Sequence, residues 1–158
     1  MTFVDSIAAR PTLQMQRLFD APRPLVWKAW TSPEVMVLWL GPVEWPAVSA
    51  TQDLRVGGEW RACLRSPDTG QNLWQGGVYR EIVPNERLVF TLKWDESHED
   101  GPPVDTLVTI QLTDAPGGTL MDFTHEGLKS EQSLTGHKHG WTSTFERLEA
   151  FLAGGGVA

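Results

Sequence analysis

Residues 130–152, SEQSLTGHKHGWTSTFERLEAFL, constrain this chain more than any other stretch, because they form the one long helical pattern in a chain dominated by short strand-like runs. Trp141, Phe145, Leu148 and Leu152 recur at i, i+4, i+7 and i+11, which places them on one face. Leu134 falls close to the same stripe. Ser130 suits the N-cap, and Glu131 in the first turn is favoured by the helix dipole. Gly154 to Gly156 end the helix where a left-handed residue is cheap. At 1.5 Å per residue the helix is roughly 35 Å long. One apolar face of that length needs a broad apolar partner, and only a sheet built from the preceding residues can supply it.

Residues 1–12 show no clear period, end near Pro11, and are expected to form a flexible arm. Residues 13–19 alternate as Leu13, Met15, Arg17, Phe19, the pattern of a strand whose apolar face is interrupted by Arg17. Pro22 or Pro24 suits the first turn of a short helix with Val26, Ala29 and Trp30 on its apolar face. A second short helix, capped by Thr31 or Ser32 with Pro33 at its first position, is expected to continue to Leu40 and stop at Gly41-Pro42. Six strand-like runs follow, at about 44–54, 59–65, 73–83, 88–94, 107–112 and 120–125. Turns rich in Gly, Pro, Asn and Asp join most of them, which predicts an antiparallel meander. The acidic, proline-rich segment 95–103 reads as a mobile connection, and 154–158 as a flexible tail. Residues 13–153 thus form one domain of the α+β class: a curved six- to seven-stranded antiparallel sheet wrapped on a long C-terminal helix, with two short helices after the first strand.

Composition excludes several functions. A net charge of −7 with a pI near 5.0 lacks the basic footprint of a nucleic-acid binder. The longest apolar run, residues 35–40, is far too short to span a bilayer, and the first residues lack a signal-peptide pattern. Cys63 is the single cysteine, which rules out an intrachain disulfide and fits a reducing cytoplasm. It sits mid-strand with no histidine adjacent in sequence, and no Gly-x-Ser-x-Gly elbow occurs. Phosphate loops and dinucleotide fingerprints are missing, so no cofactor is expected. His137 and His139, two apart on a helix, point about 200° apart and cannot share one metal ion.

Several stretches carry a family resemblance when read in order. They are Arg17-Leu-Phe-Asp-Ala-Pro22, Val26-Trp27, and Trp30-Thr-Ser-Pro-Glu34. The middle signatures are Asp53-Leu-Arg-Val-Gly-Gly58 with Trp60, and Glu81-Ile-Val-Pro-Asn-Glu-Arg-Leu88. Gly117-Gly-Thr119, Thr124-His-Glu-Gly127 and Gly140-Trp141 complete the set. Across residues 13–152 the chain resembles the activator-of-heat-shock-protein-90-ATPase homologue-like family, a branch of the START-like or SRPBCC superfamily that includes the birch-pollen allergen. That resemblance implies a helix-grip fold. It implies no single activity, because the superfamily hosts lipid carriers, hormone receptors, aromatase-cyclases and cochaperones on one scaffold. It also admits a homodimer.

The candidate site lies between helix and sheet. Trp39, Trp60, Trp74, Trp94 and Trp141 are candidates to line a cavity, with two or three of the five expected to touch open space and the rest to be core. Met121, Phe123 and His125 share the side of the last strand that should face the helix, and Phe145 faces them from the helix. His125 either bonds a ligand, acts as acid or base, or is a buried histidine satisfied by a carbonyl or a neighbouring strand. Arg17 is a second polar insert. Gly140 costs about 1 kcal/mol relative to alanine within a helix, which signals close approach of a backbone or ligand, or a kink. Phe145, Leu148 and Leu152 are expected to lock the helix down, while Leu134, Gly140 and Trp141 open onto a ligand. Asp53–Gly58 and Glu86-Arg87 read as turn chemistry, with Arg55 able to pair with Asp53. The expected function is binding of a small hydrophobic or aromatic molecule in a cytoplasmic protein. The rivals are a cyclase- or hydratase-type enzyme using His125 in the same pocket, and a chaperone-interacting module implied by the family resemblance.

Overall fold

The computed structural model describes residues 2–97 and 101–154. The chain opens with α1 (Phe3–Ala8), then β1 (Leu13–Phe19), α2 (Arg23–Thr31) and α3 (Pro33–Met36). Six strands follow: β2 (Ala47–Gln52), β3 (Glu59–Arg65), β4 (Asn72–Val83), β5 (Arg87–Trp94), β6 (Thr106–Ala115) and β7 (Gly118–Glu126). The long helix α4 (Glu131–Ala153) closes the chain. The seven strands form one antiparallel sheet in the order β1-β7-β6-β5-β4-β3-β2, so the meander is complete and β1 adds to its far edge.

The helix is seated through the stripe its sequence displays. Trp141, Phe145, Leu148 and Leu152 are all buried. Phe145 and Trp141 pack on Phe123 of β7 with ring centroids 5.0 and 4.7 Å away. Trp30 of α2 meets Trp39 edge-on at 4.7 Å, and joins the same aromatic cluster through Phe90, Phe123 and Trp141. The Ser130 hydroxyl accepts from the Ser133 N–H and caps the helix, as its residue type favours.

Four expectations are corrected. Residues 3–8, placed in a flexible arm, are helical, with a Thr2–Asp5 capping box and Ile7 buried. Arg10 then donates to the carbonyls of Gly127 and Asp105, which fastens this end of the chain to the loop after β7. The second short helix stops at Met36 rather than Leu40, and residues 37–39 continue as turns. Strand β2 is shorter than the 44–54 run, because residues 43–46 form a loop that turns over the sheet instead of joining it. Gly154 ends α4 with φ −81°, so the helix terminates without a left-handed residue. Residues 155–158 of the tail, and 98–100 of the acidic connection, lie outside the described residues.

One contact ties the loop after α3 to α4. The Arg147 guanidinium donates to the carbonyls of Leu38, Leu40 and Gly41 at 3.1, 2.9 and 2.7 Å. The Ser143 hydroxyl accepts from the Val43 N–H at 3.0 Å. Partial burial of Arg147 lowers its pKa from the usual arginine value, which leaves the group charged at any physiological pH. Hydrogen bonds from a charged donor contribute about 1.5–3 kcal/mol. Arg147→Met should therefore lower the unfolding free energy by about 2 kcal/mol, measured by urea denaturation; an unchanged midpoint would show that the loop is held by other contacts.

Candidate functional site

A cavity of about 430 Å³ lies between the N-terminal half of α4 and the sheet. Its floor is the concave face of β3 to β5: Leu64, Leu73, Gln75, Leu92 and Trp94. The loop tied down by Arg147 supplies one wall through Leu40, Gly41, Pro42 and Trp45. Helix α4 supplies the roof with Gln132, Ser133, Gly136, His137, Gly140, Trp141 and Thr144. Toward α2 the interior closes. Around Trp30, Tyr79 and Phe90 only about 10 Å³ remains, no more than one water needs. The space between helix and sheet is therefore solid core at one end and open at the other.

Two glycines make the open end. A Cβ built on Gly136 or Gly140 would meet nothing within 4 Å, and the two are one helical turn apart. Neither close backbone approach nor a tight neighbour accounts for them; both line the cavity, Gly140 partly covered and Gly136 at its exposed rim.

The polar groups follow one plan. Trp94 donates its indole N–H to His137 Nε2 at 3.1 Å, and His137 Nδ1 lies 2.8 Å from the Ser133 carbonyl. Trp141 donates to His125 Nδ1 at 3.1 Å. Because an indole only donates, His125 accepts at Nδ1 and carries its proton on Nε2. That proton points at the Thr106 hydroxyl, 2.8 Å away, which in turn donates to the Leu92 carbonyl at 2.6 Å. Of the three tryptophans that line the cavity, Trp94 and Trp141 thus commit their N–H to a histidine. The cavity meets their ring faces.

His125 is fully buried, with its ring 5.0 Å from that of His137. Desolvation, helped by His137, holds its pKa well below the ordinary value of 6.5. It stands behind Trp141 as part of the packing and is not a cavity-lining group. Of the three readings left open for it, the satisfied buried histidine describes its place.

The structure divides the remaining sequence candidates. Trp94 and Trp141 line the cavity. Trp39 and Trp60 are core, donating to the Ala29 and Thr91 carbonyls, and Met121, Phe123 and Phe145 are fully buried around them. Trp74 is 38% exposed on the opposite face of the sheet, with the Arg61 guanidinium 5.3 Å from its ring centroid. Strand parity decides this: Leu73 and Gln75 point inward, so Trp74 points out. Arg17 pairs with Glu149 at 3.0 Å near the C-terminal half of α4, away from the cavity. His139 reaches Glu44 instead of His137, and among the described residues no group of three or more His, Cys, Asp or Glu is placed to hold a metal. Arg55 bonds Asp53 at 2.9 Å, consistent with turn chemistry.

Sequence reasoning passed over Gln75, Trp45 and Gly136. Gln75 was hidden by the larger Trp74 beside it, although alternation allows only one of the two to face inward. Gly136 carried a usable signal, its i, i+4 spacing from Gly140.

A helix gripped by an antiparallel sheet, with a cavity at one end of the grip, defines a helix-grip domain of the SRPBCC type. Residues 20–153 match the family described as activator of Hsp90 ATPase homolog 1-like protein, and the chain belongs to that family. Among solved structures, a putative uncharacterized protein from Rhizobium leguminosarum is 29% identical, with a TM-score of 0.75, over 90% of this chain and 94% of the other. A protein from Chromobacterium violaceum is 26% identical with a TM-score of 0.76, covering 89% of this chain and 96% of its own. The AHSA1 protein from Silicibacter pomeroyi is 25% identical with a TM-score of 0.73, covering 90% and 98%. A search of functionally curated proteins found no match. No helix among the described residues is long and apolar enough to cross a membrane.

The depressed pKa of His125 has a consequence for stability. Below pH 6.5 the unfolded chain protonates this histidine and the folded protein does not, so the unfolded state binds more protons and stability falls as pH falls. The contribution is absent above pH 6.5 and reaches about 1.4 kcal/mol per pH unit below it. His125→Gln should be less stable than the parent at pH 7 yet lose less between pH 7 and 5, as measured by urea titration at both values. Equal losses would mean that His125 is protonated in the folded protein.

Proposed function

We propose that the cavity under the N-terminal half of α4 binds a small hydrophobic or aromatic molecule, and that this binding is the protein's function. The observation that carries the reading is the cavity of about 430 Å³ with Gly136 and Gly140 in its roof, where a Cβ on either would meet nothing within 4 Å. Each glycine costs the helix about 1 kcal/mol relative to alanine, a cost with no packing return. The volume falls within the range of small-molecule pockets, about 300–1,000 Å³, and the walls combine aromatic faces with few polar groups. Buried Cys63 suits a reducing cytoplasm as the setting.

The cyclase- or hydratase-type alternative relied on His125. Its two nitrogens are engaged with Trp141 and Thr106 behind the cavity wall, which leaves no free acid or base at that position. A chaperone-interacting role rests on the family's description alone.

The neutral probe N-phenyl-1-naphthylamine should bind saturably, one per chain, with a rise in its fluorescence. Gly140→Phe should abolish that signal while keeping or raising the thermal midpoint, since phenylalanine is the better helix former and has open space to enter. A folded Gly140→Phe protein that binds the probe like the parent, or a parent that shows no saturable binding, would overturn the proposal.

A further inference from the structure

Resting on the cavity as a ligand site, we infer that Gln75 selects its ligand, and that the ligand is a neutral apolar molecule bearing one hydroxyl or carbonyl group. Gln75 lines the cavity and is only 3% exposed, and its carboxamide opens onto the cavity space: it is not among the fully enclosed polar groups without a partner, which are found at Arg17, Trp30 and Gln52 among the described residues. An amide facing the cavity is served by water when the cavity is unoccupied, so a ligand that displaces that water must replace its hydrogen bonds or lose affinity. Its register neighbour on β3 is Ala62, whose small side chain leaves the amide uncovered; on the other side stands Trp94.

The surrounding groups narrow the chemistry. Trp94 and Trp141 donate to histidines, and Thr144 donates to the Gly140 carbonyl, so these donors are already used. The cavity lining contains no Asp, Glu, Lys or Arg. An ionised head group would be desolvated there without a countercharge, which disfavours carboxylates and amines. A carboxamide offers one acceptor and an NH₂ donor, so it can serve a hydroxyl through both or a carbonyl through the NH₂ alone. An apolar body on the aromatic walls with a single neutral polar group at Gln75 fits this lining, whose other polar groups include the Trp45 indole on the wall and Gln132 and Ser133 in the roof.

Three matched probes test this by isothermal titration at pH 7: naphthalene, 2-naphthol and 2-naphthoate. The parent protein should bind 2-naphthol about tenfold or more tightly than naphthalene, with 2-naphthoate the weakest. Gln75→Leu should lose the preference for naphthol while keeping or strengthening naphthalene binding, and that retained binding reports an intact fold. Gln75→Met serves if the leucine variant does not fold. Equal affinity for naphthalene and naphthol, tightest binding of naphthoate, or a preference that survives in the Gln75 variants would overturn the inference and leave the cavity as a ligand site. No binding of any of the three would remove both.

Discussion

The hydrogen bond from Trp141 to His125 holds this protein's architecture at its most consequential point. It crosses from α4 to β7 through the buried interior, and it continues through the Thr106 hydroxyl on β6 to the Leu92 carbonyl on β5. One indole thereby fixes the helix to three adjacent strands of the sheet. The chain of donors has a direction, since the indole can only give and the carbonyl can only accept. That direction keeps His125 neutral, which suits its complete burial. Reversing any member would leave an unpaired polar group in the core, so the helix has a single angular setting over the sheet.

That setting divides α4 into two halves. C-terminal to Trp141, Phe145, Leu148 and Leu152 fill the groove, and the interior is dense. N-terminal to it, Gly136 and Gly140 line the cavity without bulk, and His137 holds Trp94 in place as His125 holds Trp141. The same histidine–tryptophan pairing occurs once behind the cavity and once at its edge. In both, the indole N–H is used within the protein, which leaves two potentially polar walls without a free donor. Against those walls, Gln75 opens its carboxamide onto the cavity space.

Much of this was legible in the sequence, and the boundary of legibility is physical. Period alone gave the seven strands and the face of α4, because alternation and the 3.6-residue repeat are local properties of the chain. The capping role of Ser130 was equally local. The helix at residues 3–8 went unread, although Thr2 and Asp5 have the spacing of a capping box; six residues are too few to show a helical repeat. The cavity wall formed by residues 40–45 could not be anticipated, because Arg147, some hundred residues away, fixes it. Trp74 and Gln75 show the sharpest limit. Residue size argued for Trp74 as the inward group, while register, set by pairing with Cys63 on β3, sends it outward. Likewise His125 was placed on the correct face of β7, but only the three-dimensional course of α4 put Trp141 between it and the cavity.

The central claim is that one region of the interior is built to stay open for a ligand while the rest is packed solid. The indole N–H resonances of the eight tryptophans report it directly, since each position has a distinct place relative to the cavity. In a ¹H–¹⁵N spectrum of the full chain titrated with 2-naphthol, the account requires shifts at Trp45, Trp94 and Trp141. Trp39 in the dense core and Trp74 on the outer face should stay unmoved. Shifts led by Trp74, or an unchanged spectrum with ligand in large excess, would contradict it.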